Sequence, residues 1–106
     1  MSRLIIEKEN YEIRQIIEPK RNTLILYSYN KLICEYVENP GMGFEYLYKF
    51  GKYWNYSKTT VKHLMNFIRN YTRYNFAGKQ EIEKCIDLGY VQTKHEIAVM
   101  YDKTME

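Results

Sequence analysis

Between Tyr46 and Gln80 the chain carries seven lysines and arginines, Lys49, Lys52, Lys58, Lys62, Arg69, Arg73 and Lys79, and no aspartate or glutamate. Both flanks are net acidic, so the whole-chain charge of +3 conceals a strongly polarised molecule. Ten aromatic residues are interleaved with these cations: Tyr46, Tyr48, Phe50, Tyr53, Trp54, Tyr56, Phe67, Tyr71, Tyr74 and Phe76. Lysine and arginine neutralise phosphates, and aromatic faces stack on bases, so this combination points to a binding surface for nucleic acid or for a nucleoprotein. The residues expected to form it are Lys49, Lys52, Trp54, Lys58, Lys62, Arg69 and Arg73.

Residues capable of bond-making chemistry are poorly arranged for it. Ser57 and His63 are close in sequence, but no acidic residue nearby would orient the histidine, and a serine before a helix has a local reason to be there. His63 and His95 stand far apart, with no cysteine or carboxylate at ligand spacing, so neither a metal nor a cofactor is expected. Gly41-Met42-Gly43 follows a proline and leads into a strand, unlike a phosphate loop, which opens a helix. Glu81 and Glu83 point to different faces of a helix. Cys34 and Cys85 sit in unrelated apolar patterns and read as reduced core thiols. The chain is therefore expected to be a non-enzymatic binding protein.

The elements that must position the cations follow from periodicity. With 106 residues, 45% of them apolar, the chain is expected to form a single domain over residues 1–106 with one modest core. Its apolar runs are too short to cross a bilayer and no signal-peptide core is visible, which implies a soluble, cytoplasmic protein without a membrane partner, monomeric or a small homo-oligomer. The first half alternates apolar and polar residues, predicting strands over Arg3–Glu7, Tyr11–Glu18, Thr23–Ser28, Leu32–Glu38, Phe44–Phe50 and Tyr53–Tyr56. Gly51-Lys52 would join the last pair by a type II′ turn, with Lys52 at its tip and Lys49 close by. Alternation then puts Trp54 and Tyr56 on one face and Tyr53 and Asn55 on the other, one pair inward and one outward.

Ser57 caps a helix on which Val61, Leu64, Met65, Phe67, Ile68 and Tyr71 fill one arc and Lys58, Lys62, Arg69 and Arg73 another. Thr59, His63, Asn66 and Asn70 form a neutral strip between the two. A second helix is expected over Lys79–Leu88, with an acidic outer face, and a closing strand over Glu96–Tyr101. The predicted class is α+β, an antiparallel sheet of four to six strands packed against one main amphipathic helix, with a second short helix.

The string Tyr53-Trp54-Asn55-Tyr56-Ser57-Lys58-Thr59-Thr60-Val61-Lys62-His63, followed by Phe67, resembles a domain of unknown function common in small phage and prophage proteins. Its pattern, like Y-S-x-T-T-x-K-H-x-x-x-F, is filled here by Tyr56, Ser57, Thr59, Thr60, Lys62, His63 and Phe67, and the likeness covers about a third of the chain. The resemblance implies a β-hairpin before the motif and a helix after it, and brings no activity. In size and character the chain is similar to anti-CRISPR proteins, which implies an inhibitor of a host defence nucleoprotein, acting in the host cell. The alternatives are a direct DNA- or RNA-binding protein of phage replication or regulation and, below that, a structural or assembly protein.

Overall fold

Seven strands hydrogen-bond into one mixed sheet, in the order β1-β2-β3-β4-β5-β7-β6, in a computed structural model that describes residues 1–92 and 97–105. The first five strands, β1 (Ser2–Glu7), β2 (Tyr11–Glu18), β3 (Arg21–Ser28), β4 (Lys31–Glu38) and β5 (Tyr46–Gly51), form an antiparallel meander. Two helices follow, α1 (Lys58–Tyr71) and α2 (Lys79–Leu88), and then β6 (Tyr90–Gln92) and β7 (Ile97–Asp102). The fold is α+β. It exceeds the expected strand number, and the sheet is not purely antiparallel, because β7 runs parallel to β5.

That parallel pairing explains the main departure from the sequence expectation. Tyr46 to Gly51 pair along their whole length with Ile97 to Asp102, so the flank on which a strand Tyr53–Tyr56 would have paired is occupied. The segment instead makes two successive turns, in which Trp54 N donates to Gly51 O at 3.0 Å and Tyr56 N donates to Tyr53 O at 3.0 Å. Gly51 is a glycine because of crowding, not because of a hairpin. A Cβ there would stand 3.0 Å from the carbonyl oxygen of Leu32 and 3.1 Å from Cε of Met105.

A two-residue turn of the left-handed kind occurs two hairpins earlier. Tyr29 (φ 51°) and Asn30 (φ 63°) join β3 to β4, and both central residues of such a turn need positive φ to match strand twist. Asparagine tolerates this conformation and tyrosine rarely adopts it.

The larger buried cluster combines Ile13, Leu24, Leu26, Cys34, Tyr36, Tyr48, Phe50 and Val99 of the sheet with Leu64, Phe67 and Ile68 of α1 and Ile82 of α2. The opposite sheet face carries two smaller clusters, Val37, Phe44, Leu47 and Ala98, and Ile25, Leu32 and Met105. Among the described residues no helix is long and apolar enough to cross a membrane. The expected Glu96 start of the closing strand lies outside the described residues, as do Thr93, Lys94 and His95.

Candidate nucleic-acid interface

The α1 surface follows from how the helix starts. Ser57 is extended, and its Oγ accepts a hydrogen bond from the Thr60 amide at 3.1 Å, satisfying one of the orphan donors of the first turn. Ser57→Ala is expected to cost about 0.5–2 kcal/mol, measured as a shift of the urea midpoint at unchanged slope.

With Leu64, Phe67 and Ile68 turned into the core, Lys58, Lys62 and Arg69 are exposed. At 100° per residue they fall within about 40° of one another, a single ridge along the helix. There is no acid in the first turn, and among the described residues none of the three forms an ion pair or hydrogen bond. Lys58, at the helix N-terminus, even sits against the macrodipole, at a cost of about 0.3–1 kcal/mol.

Three of the expected interface residues fall elsewhere. Arg73 lies beyond the helix, which stops when Thr72 turns extended and its hydroxyl donates to the Ile68 carbonyl at 2.7 Å. The Arg73 side chain is exposed beyond the end of the helix. Lys49 alternates with the buried Tyr48 and Phe50, so it emerges on the opposite sheet face, 3.9 Å from the Glu35 carboxylate. Trp54 is only 5% exposed and packs edge-on against Phe50 at 6.4 Å, a core residue and not a surface one.

Lys52 is exposed as expected, and it has company that no local pattern indicates. Its ammonium lies 5.1 Å from the Tyr53 ring centre, and that of Lys31 lies 4.9 Å from the same centre. The Tyr56 ring, 62% exposed, meets Tyr53 edge to face at 6.1 Å. The paired stretch of β4 and β5 ends at Cys34 and Phe50, and beyond it Lys31, at the start of β4, meets Tyr53 in the turn that follows β5. Tyr56 immediately precedes Ser57, so this basic and aromatic corner runs into the α1 ridge.

A second polar group lies beneath the helix. Ser57 Oγ donates to Thr60 Oγ1 at 3.2 Å, Thr60 Oγ1 lies 3.1 Å from Ser28 Oγ, and Ser28 Oγ lies 2.9 Å from His63 Nδ1. Tyr11 covers the imidazole, with ring centres 4.5 Å apart, and Tyr29 flanks it at 6.1 Å. Thr60 and Ser28 are fully buried, at 0% and 1% exposure. His63 is thus paired with Ser28 and not with Ser57, and from its half-buried place in the neutral strip it fastens α1 to β3. Burial pushes the imidazole below its usual pKa, with a further contribution from the positive charge of Lys62.

The outer face of α2 is less acidic in effect than its sequence. Tyr74 donates a short hydrogen bond to one carboxylate oxygen of Glu81, and the other accepts from the Ala77 amide at 2.7 Å, covering the helix start. The tyrosine hydroxyl is pushed up to about 12, first by that hydrogen bond. Glu83 pairs with Lys79 at 3.6 Å, one turn away. Both cysteines are free thiols, and burial raises the pKa of each, most strongly for Cys34. Among the described residues no group of three or more histidine, cysteine, aspartate or glutamate side chains is placed to hold a metal ion.

A model of DUF8033, a family of unknown function, matches residues 4–84. The chain belongs to this family. The DUF8033 match runs from β1 into α2, so it takes in the ridge, the Lys31–Tyr53–Tyr56 corner and the hydroxyl chain beneath the helix. No curated protein matches the chain, and no solved structure does.

Proposed function

We propose that this DUF8033 protein is a non-enzymatic binding protein that lays the Lys58–Lys62–Arg69 ridge along a nucleic-acid backbone, free or displayed by a nucleoprotein such as a host defence effector. One observation carries the reading: three exposed cations share one face of a helix and have no ion-pair partner among the described residues. The ridge spans about 16 Å at 1.5 Å per residue, a length over which one strand of duplex DNA presents about five phosphates. Like charges aligned without counter-charges repel one another, and a polyanion relieves that repulsion while releasing its own condensed ions.

The test is a salt titration of binding by fluorescence anisotropy. Joint replacement Lys58→Glu and Lys62→Glu is expected to weaken binding and to flatten the log–log salt dependence by about 0.7–0.9 for each phosphate that is no longer neutralised. The melting temperature is expected to stay nearly constant, because neither lysine has an ion pair to lose. Unchanged affinity and slope in the double variant would overturn the reading and leave the ridge a solvated helix face.

A further inference from the structure

We infer that the corner made by Lys31, Lys52, Tyr53 and Tyr56 takes unpaired nucleotides, so that the strand engaged by the protein is single-stranded. The inference rests on the reading of the α1 ridge as a nucleic-acid surface and specifies what that surface holds. Its first ground is Tyr56. Half of the ten aromatics between Tyr46 and Gln80 are buried, Tyr48, Phe50, Trp54, Phe67 and Phe76, and of the rest only Tyr56 is exposed, leaving 62% of itself in water two residues before Lys58. An exposed aromatic ring at the end of a row of cations is what a base stacks upon, and every base offers a π-face whatever its identity.

The second ground is the pair of ammonium groups that meet at one ring. Lys31 and Lys52 both stand within about 5 Å of the Tyr53 centre, each held by the ring's quadrupole although they carry the same charge. A phosphate beside a stacked base would meet the Lys31 ammonium here.

The third ground is a cleft of about 200 Å³ that continues the corner onto the sheet face opposite α1, lined by Tyr27, Asn30, Lys31, Leu32, Tyr53 and Met105. The half-buried rings of Tyr27 and Tyr53 offer apolar surface to a flat heterocycle, over a floor made by the buried Leu32 and Met105. The Asn30 side chain, at the exposed tip of the β3–β4 turn, makes no hydrogen bond among the described residues. An amide presents a donor and an acceptor together, the complement of a base edge. In a duplex the base faces are stacked and the edges paired, so neither Tyr56 nor this cleft would find its ligand there.

The experiment uses the full chain with labelled oligothymidine, oligouridine and a duplex of the same length, followed by anisotropy at one salt concentration. Expected is tighter binding of at least one single strand than of the duplex, and a loss of about tenfold in single-strand affinity for Tyr56→Ala with duplex affinity unchanged. An added oligodeoxyuridine arm, which differs from oligouridine in the sugar alone, then tells which sugar the strand carries. Tyr56 is exposed, so the variant should keep its fold, which circular dichroism checks; Lys31→Glu serves as an independent second variant and should weaken single-strand binding as well.

Equal or tighter binding of the duplex, or single-strand affinity indifferent to both Tyr56→Ala and Lys31→Glu, overturns the inference. If Lys58→Glu with Lys62→Glu still weakens binding in that case, the ridge reading survives alone. Failure to bind any of these nucleic acids overturns this inference and the ridge reading for free nucleic acid.

Discussion

Phe67→Ala is expected to lower the unfolding free energy by about 3–5 kcal/mol, the largest effect of any single substitution on α1. Phe67 is 1% exposed in the main buried cluster and lies with its ring nearly parallel to that of Tyr71, 6.1 Å away. Truncation removes the ring's transfer free energy and leaves a void. That void cannot close readily, because Leu64 and Ile68 on one side and the strands on the other are held by their own ladders. Domains of this size are stable by only about 5–15 kcal/mol, so the variant should be marginally folded near room temperature. Lys62→Ala, on the opposite side of the same helix, should stay within about 0.5 kcal/mol of the parent. Trp54→Ala belongs with Phe67→Ala, since Trp54 packs on Phe50 in the same cluster. Guanidinium unfolding of the three variants ranks them directly. A stable Trp54→Ala protein that has lost only its binding would place the tryptophan in the interface and contradict its burial.

The contrast between Phe67 and Lys62 is legible in the sequence, as are most element bounds that depend on local patterns. The α2 bounds, Lys79–Leu88, and the β2 bounds, Tyr11–Glu18, coincide with the predicted ones, and α1 begins right after Ser57. A cap, an apolar period and a glycine stop are written in neighbouring residues, so nothing distant has to be known. Where local pattern fails, a distant partner decides. The turns over Tyr53–Tyr56 have strand-like composition, and only the arrival of Ile97–Asp102 alongside β5 removes their pairing edge. Gly51 carries a turn signal, but the backbone of Leu32 and the side chain of Met105, remote in sequence, explain its size. Lys49 emerges on the other side of the sheet because it alternates with the inward Tyr48 and Phe50 of β5. The Lys31–Tyr53 contact needs the β4–β5 register, and the Ser28–His63 hydrogen bond needs the position of α1 over β3. No period or spacing in one stretch of chain encodes either. Even so, the residues that meet at the corner and beneath the helix include tyrosines, serines and a histidine that side-chain chemistry alone would mark for attention.

The hydroxyl chain ending at His63 carries the second large expectation, a stability that falls with acidification. With Ser57 donating to Thr60, the Thr60 proton is available to Ser28 and the Ser28 proton to His63 Nδ1, provided the imidazole is neutral and offers its lone pair there. Protonation turns Nδ1 into a donor and forces Ser28, and then Thr60, to reverse, within a site where both hydroxyls are buried. It also places a second positive charge beside Lys62, which itself contributes to the lowered pKa. Because the folded pKa lies below the ordinary value of 6.5, the unfolded chain binds the proton more readily than the folded one. The full contribution to stability is therefore present above about pH 6.5 and is lost as the pH falls through the folded pKa. His63→Ala should itself cost about 1–3 kcal/mol at neutral pH, since it takes the acceptor from a buried hydroxyl and opens the space under Tyr11. Urea unfolding at about pH 7.5 and about pH 5 separates this group from the carboxylates, which titrate in parent and variant alike. The parent should lose more stability between the two conditions than His63→Ala does. Equal losses would mean that His63 is not the group that senses acid, and a variant as stable as the parent at neutral pH would mean that the hydroxyl chain fastens nothing.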